Sequence, residues 1–324
     1  MTSTVSNSFR VIRRVAELRE ALTAPRRQGT AIGLVPTMGF LHEGHLALVD
    51  AARTRAAVVV MSVFVNPLQF GPHEDFARYP RDLEGDIRKA EAHGVDIVFA
   101  PESSEMYAAE RTVAVIPFSL ADRWEGAVRP GHFGGVLTAV AKLFNIVLPQ
   151  VAVFGQKDIQ QATLVRALIR DLDFPIELIV APTVREPDGL ALSSRNAYLA
   201  PDERRSALVL SRALERAAAA VAAGERDAAA LVDLVRGVVS HDPAVDLEYA
   251  EARKFPGLDR VDVLDGDILV ALAARVGSTR LIDNVTLTVR GDDVTADLGT
   301  RVDPDRKRDP RDHLGTASRS KEWA

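Results

Sequence analysis

The sequence predicts an α/β protein, a Rossmann-like doubly wound parallel sheet followed by a smaller C-terminal α+β domain. Three observations carry this. Short β-branched runs recur through the first 182 residues and are apolar nearly throughout, as parallel strands covered on both faces must be. Segments with helical spacing lie between them, and a βαβα alternation with right-handed crossovers makes an open, twisted sheet. After about Val184 the order changes to two helices followed by three strand-like runs.

The strands are read at Thr30 to Val35, Ala57 to Val65, Val95 to Ala100, Val151 to Phe154 and Ile176 to Ala181. Leu46, Leu48, Val49 and Ala52 fall on one side of a helix after Gly44, and Leu137, Val140, Ala141, Phe144 and Val147 do the same after Gly135. A loop rich in Pro, Gly and Ser, Pro187 to Asn196, leads to Pro201-Asp202-Glu203, where proline at the first helical position and acids in the first turn open a helix. Gly224 ends it. A second helix spans about Asp227 to Val239, and strands follow at Val245 to Ala250, Ile268 to Ala274 and Thr279 to Val289. The expected domains are therefore 1–186 and 187–290. Residues 291–324 carry 15 Asp, Glu, Lys or Arg and few large apolar groups, too little to offset ordering entropy, so this tail is expected to be disordered.

Composition excludes several classes. Hydrophobic residues make up 47% and charged residues 26% of the 324, ordinary for a globular chain and unlike a disordered or collagen-like one. With 40 Lys and Arg against 45 Asp and Glu the net charge is −5, so nothing draws the chain as a whole to nucleic acid or to an anionic membrane. Zero cysteines exclude disulfides, thiolate metal sites and a cysteine nucleophile. The longest apolar run, Ala56 to Val65, is half the roughly 20 residues of a membrane helix, and Met1 to Glu20 lacks a signal-peptide core. A cytoplasmic location is expected.

Four clusters carry chemistry. The first is Pro36-Thr37-Met38-Gly39-Phe40-Leu41-His42-Glu43-Gly44-His45, between the first strand and first helix. Two glycines allow close backbone approach, and the helix N-terminus favours an anion such as a nucleotide phosphate. His42 and His45, three apart, share one face of the first turn. They could instead be solvated histidines or a metal pair, although the spacing is not that of a zinc protease and no third ligand is near. The second is Val65-Asn66-Pro67-Leu68-Gln69-Phe70, whose uncharged amides at a strand end suit a hydroxy-acid; the bland alternative is a polar turn around Pro67.

Third comes Phe154-Gly155-Gln156-Lys157-Asp158-Ile159-Gln160-Gln161, again at a strand end. Lys157 offers a point charge to phosphate oxygens and Asp158 a helix cap, while Gln161 lies one turn beyond Lys157; a solvated Lys-Asp pair is the alternative. The fourth, Leu192-Ser193-Ser194-Arg195-Asn196, puts two hydroxyls and an Arg on a mobile-looking loop that could close over a polyphosphate, or could be a plain polar linker. In a doubly wound sheet the strand ends converge at the topological switch point, which favours a shared ligand.

Together these segments resemble the pantothenate synthetase (pantoate–β-alanine ligase) family of the nucleotidyltransferase α/β superfamily, whose signature is a His-x-Gly-His turn. The likeness runs from about residue 10 to 290 and adds Tyr79-Pro80-Arg81, Gly131-His132-Phe133, Pro182-Thr183-Val184-Arg185-Glu186 and Thr279-Arg280-Leu281-Ile282-Asp283-Asn284. It implies ATP-dependent condensation of (R)-pantoate with β-alanine through a pantoyl adenylate, releasing AMP and pyrophosphate, with Mg2+ accompanying ATP and a homodimer as the assembly. By the same resemblance Met38 to His45, Gly155 to Asp158, Val184 and Leu192 to Arg195 match ATP-contacting segments. His45 matches the active-site histidine and Gln69 and Gln161 the pantoate-holding glutamines; by their chemistry His42, Lys157 and Arg195 would join His45 as catalytic, and Asn66 would join the glutamines at the substrate.

The chain departs from the family pattern at Gln156 (commonly Glu), Leu192 (Met), Ile159 (an aromatic) and Gly85, which breaks a pair of acids and leaves Asp86. No metal ligand is named for that reason. Two other functions compete: a nucleotidyltransferase that leaves the adenylyl group on its product, and a nucleotide-binding regulator without turnover. The two glutamines argue against an anionic phosphate acceptor. Both histidines with Lys157 and Arg195 argue against a sensor, which needs affinity and no apparatus for pyrophosphate departure.

Overall fold

A computed structural model describes residues 9–72 and 74–303, which divide into two compact units: 9–155 with 160–181, and 156–159 with 182–303. The first holds a six-stranded sheet of β1 (Arg10–Ile12), β2 (Ile32–Thr37), β3 (Val58–Val63), β4 (Ile97–Phe99), β5 (Val151–Gly155) and β6 (Glu177–Ala181). Every pairing is parallel, in the order β1-β4-β3-β2-β5-β6. From β2 the chain builds outward on one side through β3 and β4, then returns to the other side as β5 and β6. The switch point therefore lies at the carboxyl ends of β2 and β5, where ligands bind in such sheets.

The helices are α1 (Val15–Ala21), α2 (Thr23–Arg27), α3 (Glu43–Arg53), α4 (Leu83–Ala92), the single turns α5 (Ser103–Met106) and α6 (Glu125–Val128), α7 (His132–Val147) and α8 (Ile159–Asp171). Helix α3 packs against β2, β5 and β6 through Leu48, Val49 and Ala52, part of a core with Val35, Val59, Met61, Val98 and Val153. Helix α7 is apolar almost all round and buried along most of its length. The sequence signals miss β1, too short at three residues for periodicity to register, and α4, whose charged sequence shows little apolar stripe.

In the second unit β8 (Val245–Lys254), β9 (Gly266–Val276), β10 (Thr279–Arg290) and β11 (Asp293–Asp297) form an antiparallel sheet in the order β11-β10-β9-β8. Helices α9 (Pro201–Ala222) and α10 (Ala228–Val239) cover it, with Leu210, Leu214, Leu231 and Val235 meeting Val270, Leu272 and Leu287. Asp227 caps α10 by accepting the Ala230 N–H at 2.9 Å. A short parallel pair joins β7 (Val184–Arg185) to β12 (Thr300–Arg301).

Two expectations about boundaries change. The second unit resumes at Pro182 instead of after Glu186, because β7 is paired within it. The tail expected to be disordered contains two strands, β11 against β10 and β12 against β7. Backbone pairing needs little apolar surface, and Val294 and Leu298 still reach the core; averaging composition over 34 residues hid both anchors. Residues 304–324, the rest of that tail, lie outside the described residues.

Candidate active site

Strand β2 ends at Thr37, whose hydroxyl donates to the Ser62 carbonyl at 2.7 Å and accepts the Gly39 N–H at 3.2 Å. Gly39 has φ +83°, and a Cβ there would lie 2.8 Å from Asp86 Oδ2 and 2.9 Å from Val63 Cγ1, so conformation and space both require glycine. Phe40 follows at φ +52°. The Asp86 carboxylate, 1% exposed, accepts the N–H groups of Phe40 (2.8 Å) and Leu41 (2.7 Å). Burial pushes its carboxyl above the usual range, and those two backbone bonds pull the other way. Lys89, one turn along α4, donates to the Leu41 carbonyl at 2.6 Å. Helix α4 thus fixes both donors and an acceptor of this turn.

The turn delivers the two histidines. His42 caps α3, its Nδ1 accepting the Gly44 N–H at 3.2 Å, while its own N–H donates to His45 Nδ1 at 3.4 Å. The rings lie 4.1 Å apart, centroid to centroid. With each Nδ1 accepting, the proton of each neutral ring is on Nε2, so both rings carry an Nε2–H donor beside the positive end of the helix dipole. That arrangement suits phosphate oxygens.

The second cluster meets the first through Gln69, whose Nε2 contacts Met38 Sδ at 3.1 Å. Asn66, 2% exposed, stands one bond behind it. Its Nδ2 donates to Gln69 Oε1 (3.0 Å) and the Gly135 carbonyl (3.1 Å), while its Oδ1 accepts from the Leu68 N–H (3.1 Å) and the Tyr107 hydroxyl (2.8 Å). Burial pushes the Tyr107 hydroxyl up to about 12, so it remains a donor. Asn66 spends its amide on the protein and orients Gln69. At Gly135 a Cβ would collide with the Leu68 carbonyl, so α7 presses directly on this turn.

On α8 the adjacent glutamines differ. Gln160 is buried and fully engaged, donating to the carbonyls of Leu120 (2.9 Å) and Arg123 (2.8 Å) and accepting the Glu125 N–H (3.1 Å). Gln161, next to it, is half-buried.

The remaining sequence-read residues, apart from Gly155 at the end of β5, belong to the second unit. There Asn284 donates from Nδ2 to the carbonyls of Gln156 and Lys157, both at 3.0 Å, and accepts from Gln156 Nε2 at 3.4 Å. Lys157 Nζ is 3.9 Å from Asp158 Oδ2, an ion pair too long for a hydrogen bond. Arg185 is buried with every guanidinium N–H used: two bonds to Asp283 (2.6 and 2.9 Å) and one each to the carbonyls of Leu298, Gly189 (3.1 Å) and Asn284 (3.4 Å). The loop read as mobile is tied down at several points. Leu192 N–H donates to the Val184 carbonyl (2.9 Å), and Ser193 Oγ accepts the Arg195 N–H (3.2 Å), leading to buried Ser194. Asn196 donates to Glu186 (2.8 Å), which Arg204 grips with both terminal nitrogens (3.1 and 2.7 Å).

Asp86 and Lys89 carry no sequence signal as holders of a turn. Asp283-Asn284 does leave one, a polar pair inside an apolar strand. No group of three or more His, Asp or Glu that could hold a metal occurs among the described residues. None of their helices is long and apolar enough to cross a membrane.

The family model described as pantoate–β-alanine ligase matches residues 10–286. A pantothenate synthetase of Geobacillus kaustophilus is 53% identical over 277 residues, covering 86% of this chain and 92% of that protein. That of Moorella thermoacetica is 53% identical over 279 residues, covering 86% and 99%. Among solved structures, pantothenate synthetase from Thermus thermophilus superposes with a TM-score of 0.81 at 46% identity, covering 85% of this chain and 98% of its own. The pantoate–β-alanine ligase of Francisella tularensis, complexed with β-γ ATP and β-alanine, gives a TM-score of 0.68 at 31% identity, covering 86% and 97%.

Proposed function

The chain belongs to the pantoate–β-alanine ligase family, and on that premise we propose that it condenses (R)-pantoate with β-alanine by way of a pantoyl adenylate, releasing AMP and pyrophosphate. The observation that carries this reading is the 37–45 turn, held by Asp86 and placing His42 and His45 at a helix N-terminus beside the switch point. In the first step a pantoate carboxylate oxygen bonds to the α-phosphorus as the bond to pyrophosphate breaks. In the second the β-alanine amine attacks the acyl carbon, AMP leaves and the amine's proton is lost. The protein's work is positioning and charge stabilisation.

In this reading Met38 to His45, Gly155 to Asp158, Val184 and Leu192 to Arg195 contact ATP. His42, His45, Lys157 and Arg195 meet the phosphate charge, and Gln69 and Gln161 hold pantoate. Mg2+ would accompany ATP and supply charge neutralisation at the phosphates. Among the described residues no cluster of three or more His, Asp or Glu could cage it, and each oxygen of Asp86 already accepts a backbone N–H. We place the enzyme in the cytoplasm as a homodimer. Val113, Ile116 and Phe118, each more than 70% exposed within one short segment, are the apolar surface that supports self-association.

Isotope exchange tests the chemistry. Pantoate alone should support exchange of labelled pyrophosphate into ATP, and β-alanine should then release AMP. A β-alanine requirement for exchange, label from ATP covalently held by the protein, or ADP as product would each refute the adenylate. Sedimentation of Phe118→Asp against the unmodified protein tests the dimer.

A further inference from the structure

The Gly131-His132-Phe133 segment has no role in the chemistry above, yet it ends on the pantoate-side turn. His132, 8% exposed at the start of α7, donates from Nδ1 to the Gln69 carbonyl at 2.8 Å. Its Nε2 lies 3.1 Å from Arg129 Nη1. A carbonyl only accepts and a guanidinium only donates, so one tautomer satisfies both: hydrogen on Nδ1, lone pair on Nε2. Arg129 Nη2 reaches the same carbonyl at 3.2 Å, and its fork is aligned by Glu74 at 3.0 and 2.5 Å. Burial and the Arg129 charge push the imidazole down to about 4, which keeps that tautomer neutral.

Gln69 needs such a hold. It is the last residue of the 3-10 turn Pro67–Gln69, and its own N–H makes only a long bond, 3.4 Å, to the Asn66 carbonyl. Its carbonyl is one of the acceptors that a helical turn leaves unpaired at its end. Fixing that carbonyl fixes the peptide plane, and with it the direction in which the side chain leaves the backbone. Asn66 then sets the amide at the far end.

We propose that His132 is a positioning residue for pantoate, holding the Gln69 carbonyl through Nδ1–H with Arg129 as the second donor. This rests on the reading that Gln69 holds pantoate. It extends that reading to groups that never touch substrate.

The test uses two amides that copy different ring nitrogens. Asn at 132 places its NH2 near Nδ1 and keeps the bond to Gln69; Gln places its amide near Nε2 and keeps only the Arg129 side. In pyrophosphate exchange, His132→Gln should raise the pantoate KM about tenfold, a loss of one hydrogen bond, with the ATP KM little changed. His132→Asn should stay near the unmodified enzyme. Equal effects of the two amides, parallel rises in both KM values, or no change in the Gln variant would overturn the proposal. If the Gln variant does not fold, Arg129→Lys, which keeps the charge and loses the fork, must show the same split between substrates. Gln69→Ala separates the layers. If it leaves the pantoate KM unchanged, the reading of Gln69 falls and takes this inference with it. If it raises that KM while the Gln and Lys variants do not, the inference alone falls.

Discussion

Asn284 holds Lys157 by its backbone, donating from Nδ2 to the Lys157 carbonyl at 3.0 Å and to the preceding Gln156 carbonyl at the same distance. A residue in the middle of β10 thereby sets the geometry of a turn 127 positions earlier. The lysine's charge and its placement are therefore separable by mutation.

Lys157→Ala should keep the fold and lose most adenylation, roughly 3 kcal/mol of transition-state stabilisation. Asn284→Ala should cost less, about 1–2 kcal/mol, by loosening the turn. The double variant should lose less than the sum, since both act through one ammonium group. Steady-state kinetics of the three, with melting curves as a control for folding, check this; strict additivity would show that Asn284 does not act through Lys157.

Breaking Arg185 from Asp283 should be among the most damaging single changes in the second unit. Both side chains are less than 5% exposed, and Asp283→Ala leaves a buried guanidinium without its counter-charge, a loss of about 3–5 kcal/mol. Urea denaturation at neutral pH measures it. Arg185→Lys should fall nearly as far, because an ammonium cannot reproduce five donors in a planar fork.

His132 makes stability depend on pH in a stated direction. The unfolded histidine binds a proton below about pH 6.5, while the folded one, pushed down to about 4, does not until much lower pH. Stability is thus unaffected above pH 6.5 and is lost as pH falls from there toward 4. Between pH 7 and pH 5 this single group should cost about 2 kcal/mol. The loss should shrink in His132→Asn, as chemical denaturation of both proteins at the two pH values would show.

Asp86→Asn should destabilise the 37–45 turn and, on the proposed function, raise the ATP KM. One carboxylate oxygen becomes an NH2 facing a backbone N–H, so a charge-assisted bond of about 2 kcal/mol is replaced by two opposed donors. A normal ATP KM in that variant would remove Asp86 from the group that shapes the site.

Removing residues 291–324 should lower the melting temperature well below that of a chain ending at 303. The longer deletion takes away β11, the Val294 and Leu298 contacts, and the carbonyl that accepts from Arg185 Nε. Scanning calorimetry of the two truncations decides it.

The sequence made β2 to β6, α9 and α10 legible because each announces itself locally, by a run of β-branched residues, a proline at N1 or a capping Asp227. The His42-x-Gly44-His45 turn was legible for the same reason. Asp86 was not. Its partners are the backbone N–H groups of Phe40 and Leu41, 46 and 45 residues away, and a backbone donor leaves no trace in residue type. Arg185 is similar: three of its acceptors are carbonyls, and only Asp283 could have betrayed it. In and just after β11 the anchors Val294 and Leu298 are diluted among acids, so composition pointed the wrong way.

The pairing of β7 with β12 also sets a schedule for synthesis. Val184 is paired with Thr300, and Arg185 bonds to the Leu298 carbonyl, so neither contact can form until more than a hundred further residues have been added. At ribosomal speed that delay is on the order of ten seconds. Throughout it Arg185 lacks its native acceptor for Nε, and for most of it Asp283 is not yet made. The 184–196 loop is thus among the last parts of the second unit that a growing chain can finish, and a nascent chain stalled before residue 283 would hold its core helices without a completed loop.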